Sequence, residues 1–359
     1  LPQGVLDPRD DCEELRVWLA LQSALHLDPV FASQLLQRTR DPLAALRAAG
    51  HSRKLRDPTL AAQCETLAEL GVVLLPLLAP EYPERLRVLS DAAPVLLVRG
   101  EPGVLLGRAV AVVGARAPTV YGLQVARDLA GALARAGVVV VSGLARGIDA
   151  AAHRAALEAG GLTVAFLACG PDRMYPSEHA SLADQISHSG AVVTEMPLGT
   201  PPLGHYFPLR NRLIAGLAEV VVVVEGRLRS GSLVTARLAL DQGRDVMAVP
   251  GPIGAPTSQG PNRLLREGAA PLTRIEDVFE MLALPVPDST RAVATERPAA
   301  SPLAARVLVI LRQEPCTRDE LGVRAEVPSG QLALALTELE LAGQIAVDRD
   351  GRLRVLAGR

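Results

Sequence analysis

Between residues 109 and 249, short apolar runs alternate with longer stretches whose apolar residues recur every three or four positions. The runs lie near 109–113, 138–142, 163–168, 191–195, 220–224 and 245–249. They are rich in valine and uninterrupted, the pattern of strands buried on both faces. The amphipathic stretches predict helices near 118–136, 148–159, 177–189, 209–217 and 231–242, with two more near 261–267 and 274–284. Strand–helix alternation at this spacing implies right-handed crossovers and a doubly wound parallel sheet of Rossmann-like α/β type. Residues 71–100 read as strand, short helix, strand, an extension added to the front of that sheet.

The flanks have other patterns. Asp28-Pro29, Asp41-Pro42 and Asp57-Pro58 each place a capping carboxylate before a proline suited to a first helical turn. Helices follow near 12–26, 29–38, 42–49 and 58–70, a small bundle of SAM-like or helix-hairpin-helix type. Residues 285–300 are proline-bearing and poor in apolar side chains, as a linker is. Beyond them, helices at 303–314, 317–324 and 329–342 precede QIAVDRDGRLRVL, whose alternation around Asp350-Gly351 predicts a two-residue hairpin. Three helices and a hairpin make a winged helix. The expected domains are thus 1–75, 76–284 and 301–359, joined by the linker 285–300.

Composition narrows the chemistry. With 359 residues, 49% of them hydrophobic, the chain holds two or three domains with real cores. Its net charge of −2 points to no polyanion as partner of the whole molecule. Lys54 is the only lysine among 37 cationic residues. Cys12, Cys64, Cys169 and Cys316 are far apart and show no metal-type spacing, as expected of a reduced cytosolic protein without structural zinc. No apolar run reaches the roughly 18 residues of a membrane span, and no signal peptide is visible.

Several chemistries of doubly wound sheets lack their residues. After the first strand of the main sheet, Gly114 is followed by no second glycine until Gly122, and the next strand ends in Ser142 rather than a carboxylate. That excludes a dinucleotide fingerprint. The Gly-Lys-Ser/Thr of a P-loop is absent, as is the G-x-S-x-G of a nucleophile elbow. The histidines show no metal spacing, and His153 reads as structural. Glu195 and Glu225 end strands and could do acid–base work. Their alternative role is to pair with arginines such as Arg210 or Arg212. No cofactor and no catalytic residue is expected.

What remains is binding chemistry. Ligands bind such sheets at the carboxyl ends of the strands. Those ends carry Gly114 to Arg116, Ser142-Gly143 with Arg146-Gly147, Gly170 with Arg173, and Ser230-Gly231-Ser232. Ser142-Gly143 and Ser230-Gly231-Ser232 precede predicted helices, whose free N–H groups and dipoles suit phosphate. Arg116, Arg146, Arg173, Arg210 and Arg212 bring charge to an edge poor in carboxylate. Several phosphate-sized features in a row favour a polymer. Tyr175 and Phe207, two of only eight tyrosines and phenylalanines, lie in strand-end loops where an aromatic face can stack a base.

Seven segments, VGARAPTVYG, VSGLARGIDAAAHRAAL, GPDRMYPSEHASLADQI, TEMPLGTPP, FPLRNRLIAGLA, RSGSLVTARLALDQGRDVMAVPG and QGPNRLLREGA, resemble in order and spacing the DNA-processing protein A family (DprA, or Smf). The resemblance implies a cytoplasmic, non-catalytic protein that binds single-stranded DNA, protects incoming DNA during natural transformation and loads the RecA recombinase. It implies a homodimer formed through the C-terminal part of the Rossmann-like domain, for which Leu264, Leu265 and Leu272 are candidates. By position, the DNA pocket takes in Arg116, the 142–149 loop, the 170–175 loop, Arg210, Asn211, Arg212 and Ser230 to Ser232. Asp149 is expected to order its loop. Glu178 and His179 stand where relatives often carry asparagine, and Arg173 where many carry lysine. Two other classes stay open: a phosphoribohydrolase-like nucleotide enzyme, whose catalytic glutamate has no counterpart after RSGSLVTA, and a protein-interaction scaffold.

The winged helix is expected to contact protein. Its third helix carries no arginine or lysine, and residues 301–359 hold eight arginines against eight carboxylates. Leu332, Leu336 and Leu339 should face inward, with Leu334 or Leu341 outside.

Overall fold

The computed structural model describes residues 4–10, 13–286, 301–341, 344–348 and 350–356. Two compact units emerge: Leu1–Pro118 with Val125–Pro285, and Val286–Arg359 with Thr119–Gln124.

The first unit opens with helices α1 (Glu13–Leu25), α2 (Pro29–Thr39), α3 (Pro42–Ala48) and α4 (Thr59–Glu69). The capping carboxylates act as expected: Asp28 accepts from the Phe31 amide, Asp41 from that of Leu43 and Asp57 from that of Thr59. A short 3₁₀ helix, Ser52–Arg56, lies between α3 and α4, where the sequence pattern predicts only a connection.

Next come β1 (Val72–Pro76), α5 (Glu84–Arg87), β2 (Val95–Gly100), β3 (Ala109–Val113), α6 (Val120–Arg135), β4 (Val139–Ser142), α7 (Ile148–Glu158) and β5 (Thr163–Phe166). The unit continues with α8 (Ala180–Ser189), β6 (Gly190–Thr194), α9 (Tyr206–Leu217), β7 (Val220–Val223), α10 (Gly231–Asp241), β8 (Asp245–Ala248), α11 (Gln259–Arg266), β9 (Ala270–Pro271) and α12 (Glu276–Met281). The nine strands form one sheet in the order β1-β2-β6-β5-β4-β3-β7-β8-β9. Every residue of β3, β4, β5, β6 and β7 is buried, as valine runs covered on both faces require.

Strands β3 to β9 are parallel, while β1 and β2 add an antiparallel ribbon at the β6 edge. The sheet is therefore mixed rather than wholly parallel. From β3 the chain steps outward through β4, β5 and β6, then returns to place β7 on the other side of β3. That reversal opens a crevice at the strands' carboxyl ends.

Among the described residues the N-terminal helices share their core with the sheet. Leu15, Trp18, Leu36, Leu46 and Leu67 belong to the same buried cluster as Val98, Val141, Phe166 and Val223. The expected 1–75 module is thus welded to the sheet by continuous apolar packing. Gln22 reinforces the junction, its Nε2 donating to the Glu195 carbonyl at 3.0 Å.

The second unit holds α13 (Pro302–Gln313), α14 (Arg318–Ala325), α15 (Ser329–Leu341) and the ribbon β10 (Ile345–Val347) with β11 (Leu353–Val355). Thr317 and Glu320 form a reciprocal capping box on α14. Leu332, Leu336 and Leu339 are buried in a core of the unit's own, and Leu334 is 74% exposed. The Leu341 side chain lies outside the described residues, as do Cys12, Arg349 and residues 287–300 of the expected linker. Asp348 pairs with Arg352, so the hairpin turn spans three residues instead of two, with Gly351 at φ +79°. A glycine in the left-handed region is what a three-residue hairpin loop demands.

Candidate nucleic-acid interface

The strand-end loops are shaped by close backbone approaches. After β3, Gly114 packs so tightly that a Cβ would lie 2.7 Å from Ile148 Cγ1. Gly147, at φ +78°, starts α7 against the same turn, and a Cβ there would lie 2.3 Å from the Ala115 oxygen. The loop between β4 and α7 is held from inside. The buried Asp149 carboxylate accepts from the amides of Gly143 (3.1 Å) and Ala145 (3.4 Å), the ordering role its position suggested. Burial pushes this carboxyl above its ordinary range, opposed by Arg210 and the two amides. His179 meets the carbonyl of Leu144, which sits at φ +56°, at 2.8 Å.

Arg210, on α9, is an internal strut. Its Nη1 donates to the carbonyls of Gly143 (2.7 Å) and Phe166, and its Nε to Asn211 Oδ1 (3.2 Å). Gly143 must lack a side chain because a Cβ would stand 2.6 Å from that guanidinium. Burial draws the Arg210 pKa down to about 10, still well above neutrality. Asn211 Nδ2 donates to the Gly231 carbonyl at 3.3 Å, tying α9 to the start of α10. There Ser230 and Ser232 share a hydroxyl contact of 2.8 Å.

Arg116, Gly143, Arg146, Tyr175 and Phe207 meet in one shallow cleft of about 20 Å³. Phe207 is its centre. The Arg116 guanidinium lies 5.4 Å from that ring's centroid, and the Tyr175 ring stands edge-on to it at 5.7 Å and 69°. Helix α9 begins at Tyr206, so Phe207 rides on the first turn of a helix, not in a loop. Arg116 makes no ion pair among the described residues, and Tyr175 is 40% exposed. Ala145, from the 142–149 loop expected there, and Pro176 also line the cleft; the ordinary chemistry of Pro176 offers no signal in the sequence.

Two expectations change. Arg212 does not face the edge. It is buried in an ion pair with Glu195 and lies 3.4 Å from Asp91, at the junction with β2 and the N-terminal helices. Ser142 is fully buried, its hydroxyl donating to the Val112 carbonyl at 2.7 Å. On this edge, expected to be poor in carboxylate, Glu178 pairs with Arg146, and Asp172 with Arg173 at 3.2 Å. Both pairs are substantially exposed, and such pairs bind weakly enough to exchange partners. Gly170 and Arg173 belong to a neighbouring loop, tied to residues 197–200 by Gly170 N–Thr200 O (2.9 Å) and Gly199 N–Asp172 Oδ1 (2.8 Å).

Of the strand-end carboxylates, Glu195 pairs with Arg212, and Glu225 accepts from the Thr257 hydroxyl at 3.4 Å. His153 is structural: its Nδ1 is 2.7 Å from the Thr163 hydroxyl oxygen, and burial draws its pKa down to about 3. Since Thr163 donates to the Val140 carbonyl, Nδ1 is the protonated nitrogen and donates to Thr163. Cys169 is a buried thiol whose pKa burial raises to about 11.

The family models and the most similar curated relatives agree on one family. Residues 74–283 match the family model of the DNA recombination-mediator protein A, and residues 291–351 that of the DprA winged helix domain. The chain is 39% identical to protein Smf of Escherichia coli over 96% of its own length and 92% of that protein's. It is 38% identical to the DNA processing protein DprA of Bacillus subtilis over 75% and 89%. Among solved structures, DNA processing protein A of Streptococcus pneumoniae superposes with a TM-score of 0.60 at 34% identity, covering 74% of this chain and 92% of that one. The Helicobacter pylori protein, solved for its single-stranded DNA binding mode, gives 0.53 at 31%, covering 56% and 93%. With both family models matched in order along the chain and relatives matched across most of their length, this chain belongs to the DprA/Smf family of DNA processing proteins.

Proposed function

We propose that this protein binds single-stranded DNA at the strand-end cleft, without sequence preference and without catalysing a reaction. The observation that carries the reading is the Phe207 platform: an aromatic face beside Tyr175 and the unpaired Arg116, above a loop braced by Arg210 and Asp149. Stacked bases and phosphate contacts are the two requirements of sequence-tolerant single-strand binding. Arg146 and Arg173 exchange their carboxylates for phosphates, and the start of α10 at Ser230 to Ser232 offers further amides. The single-strand binding mode of the Helicobacter pylori relative supports the same assignment. Glu195 is paired with Arg212 and Glu225 accepts from Thr257, which supports a binding reading over acid–base chemistry.

The family relationship carries the reading further. The protein shields incoming single strands and loads RecA onto them in natural transformation and recombination, in the cytoplasm. No helix among the described residues is long and apolar enough to cross a membrane. It acts as a homodimer, but not through all the leucines the sequence suggested. Leu264 and Leu272 are buried within the protomer at 7% and 4% exposure. The exposed Leu228, Val234, Leu240 and Ile253 are the apolar residues a second copy would cover.

The test is titration of labelled oligo-dT with Arg116→Ala and Phe207→Ala across a salt series. Each variant should weaken binding roughly tenfold. Arg116→Ala should also lower the log–log salt slope by about 0.7, the share of one neutralised phosphate, whereas Phe207→Ala leaves the slope alone. Parent-like binding by both variants would refute the assignment.

A further inference from the structure

Among the described residues many arginines lie in ion pairs, Arg85, Arg87, Arg99, Arg108, Arg212 and Arg274 among them. The 3₁₀ segment between α3 and α4 is different. It opens after Gly50, at φ +75°, and its Ser52–Arg56 turn carries Arg53, Lys54 and Arg56 on consecutive or nearly consecutive positions. Arg47 sits in the last turn of α3, just ahead of it. Among the described residues none of these four cations has an ion-pair partner, and only Lys54 spends its side chain, donating to Ser23 Oγ at 3.4 Å. Arg47, Arg53 and Arg56 are all exposed.

The segment is also concave. His51, Arg53, Lys54, Arg56 and Asp57 line an open surface depression of about 380 Å³. Asp57 is its only carboxylate, and that oxygen is occupied: Oδ1 accepts from the Thr59 amide (3.0 Å) and hydroxyl (2.7 Å), capping α4. Those hydrogen bonds hold the Asp57 carboxyl below its ordinary range. It offsets one of the three positive charges lining the cavity and leaves a net positive concavity.

Position gives the cavity its meaning. Gln22 and Ser23 are neighbours near the end of α1. Gln22 reaches the Glu195 carbonyl, one residue beyond the carboxyl end of β6, and Ser23 receives Lys54. A single helical turn thus connects the basic cavity to the edge of the sheet where the Phe207 cleft opens. Both lie in the same compact unit.

We infer that the cavity lined by Arg53, Lys54 and Arg56 is a second phosphodiester-binding site, which takes the backbone of a single strand after it leaves the Phe207 cleft. It offers guanidinium forks and, apart from the His51 imidazole, no aromatic ring, so it grips phosphates and leaves the bases largely unread. The N-terminal helices thereby lengthen the DNA footprint and set the path of the strand across the molecule. This inference rests on the single-strand reading above, and its test separates the two.

Oligo-dT of about 6 nucleotides fills the first cleft alone, whereas one of about 20 spans both. Full-length Arg53→Ala, Arg56→Ala and the double variant are compared with Arg135→Ala, which removes an exposed charge at the opposite end of the strands. The long oligonucleotide should bind roughly fivefold more weakly per arginine removed, with the salt slope falling by about 0.7 each. The short one should bind all variants as it binds the parent, and Arg135→Ala should match the parent at both lengths. Equal weakening at both lengths, or none at either, would overturn the second site and leave the first standing. A parent that binds neither oligonucleotide would take both readings down.

Discussion

The strand-end edge and the winged helix draw on the same cationic residue and use it in opposite ways. At the edge, Arg116 is held over Phe207 with no carboxylate partner, and Arg146 and Arg173 sit in loose, exposed pairs. In the winged helix the arginines are consumed locally. Arg318 lies 3.5 Å from Glu340, Arg324 2.9 Å from Glu314, Arg306 3.9 Å from Glu326 and Arg354 3.3 Å from Asp348, and Arg352 donates to the Pro315 carbonyl. The helix that would enter a major groove presents Glu338 and Glu340 and no cation. Counting arginines does not distinguish these regions. What distinguishes them is whether the fold leaves a guanidinium without an anion.

The sharpest way to break the contrast is to remove the brace behind the edge. Arg210→Ala strands the carbonyls of Gly143 and Phe166 and the Asp149 carboxylate in a buried space. It should cost about 2–4 kcal/mol in urea unfolding and loosen the cleft enough to weaken oligo-dT binding. A variant as stable as the parent would mean the strut is dispensable.

Acid should separate the two units next. His153 has a folded-state pKa of about 3 against an ordinary 6.5, so the folded α/β unit refuses a proton that the unfolded chain accepts. Stability from this group is complete above pH 6.5 and is lost as pH falls toward 3, up to about 5 kcal/mol. Residues 301–359 contain no histidine. Trp18, the only tryptophan, lies in the shared core of the first unit and reports on it alone. Its fluorescence should show a urea midpoint that falls between pH 7 and pH 4, and His153→Gln should flatten that dependence. An unchanged dependence in the variant would show that other groups control it.

The smallest effect should come from deleting the winged helix. A chain ending at Pro285 should keep oligo-dT affinity within about threefold, because phosphate contacts need unpaired cations and that unit offers few. Loss of most single-strand affinity, or tight duplex binding by the 301–359 fragment, would erase the contrast.

Much of this molecule was legible in its sequence. Val-rich runs mark buried strands because apolar continuity is a local property, and the Asp-Pro pairs announce helix starts because capping acts within three residues. The carboxyl ends of those strands then locate the edge, with Arg116, Arg146, Tyr175 and Phe207 on it. What the pattern could not say is where each side chain goes. Arg210 and Arg212 stand two apart on α9 and look alike in sequence. One braces the backbone at Gly143, 67 positions away, and the other is buried against Glu195, 17 positions away. The N-terminal helices likewise read as a separate module, yet they share the sheet's core. The partners that decide these fates come from distant segments, and only the folded chain brings them within reach. The sequence alone thus determined the order of elements and the candidate binding edge, and tertiary contact determined which of its charges are left without a carboxylate partner.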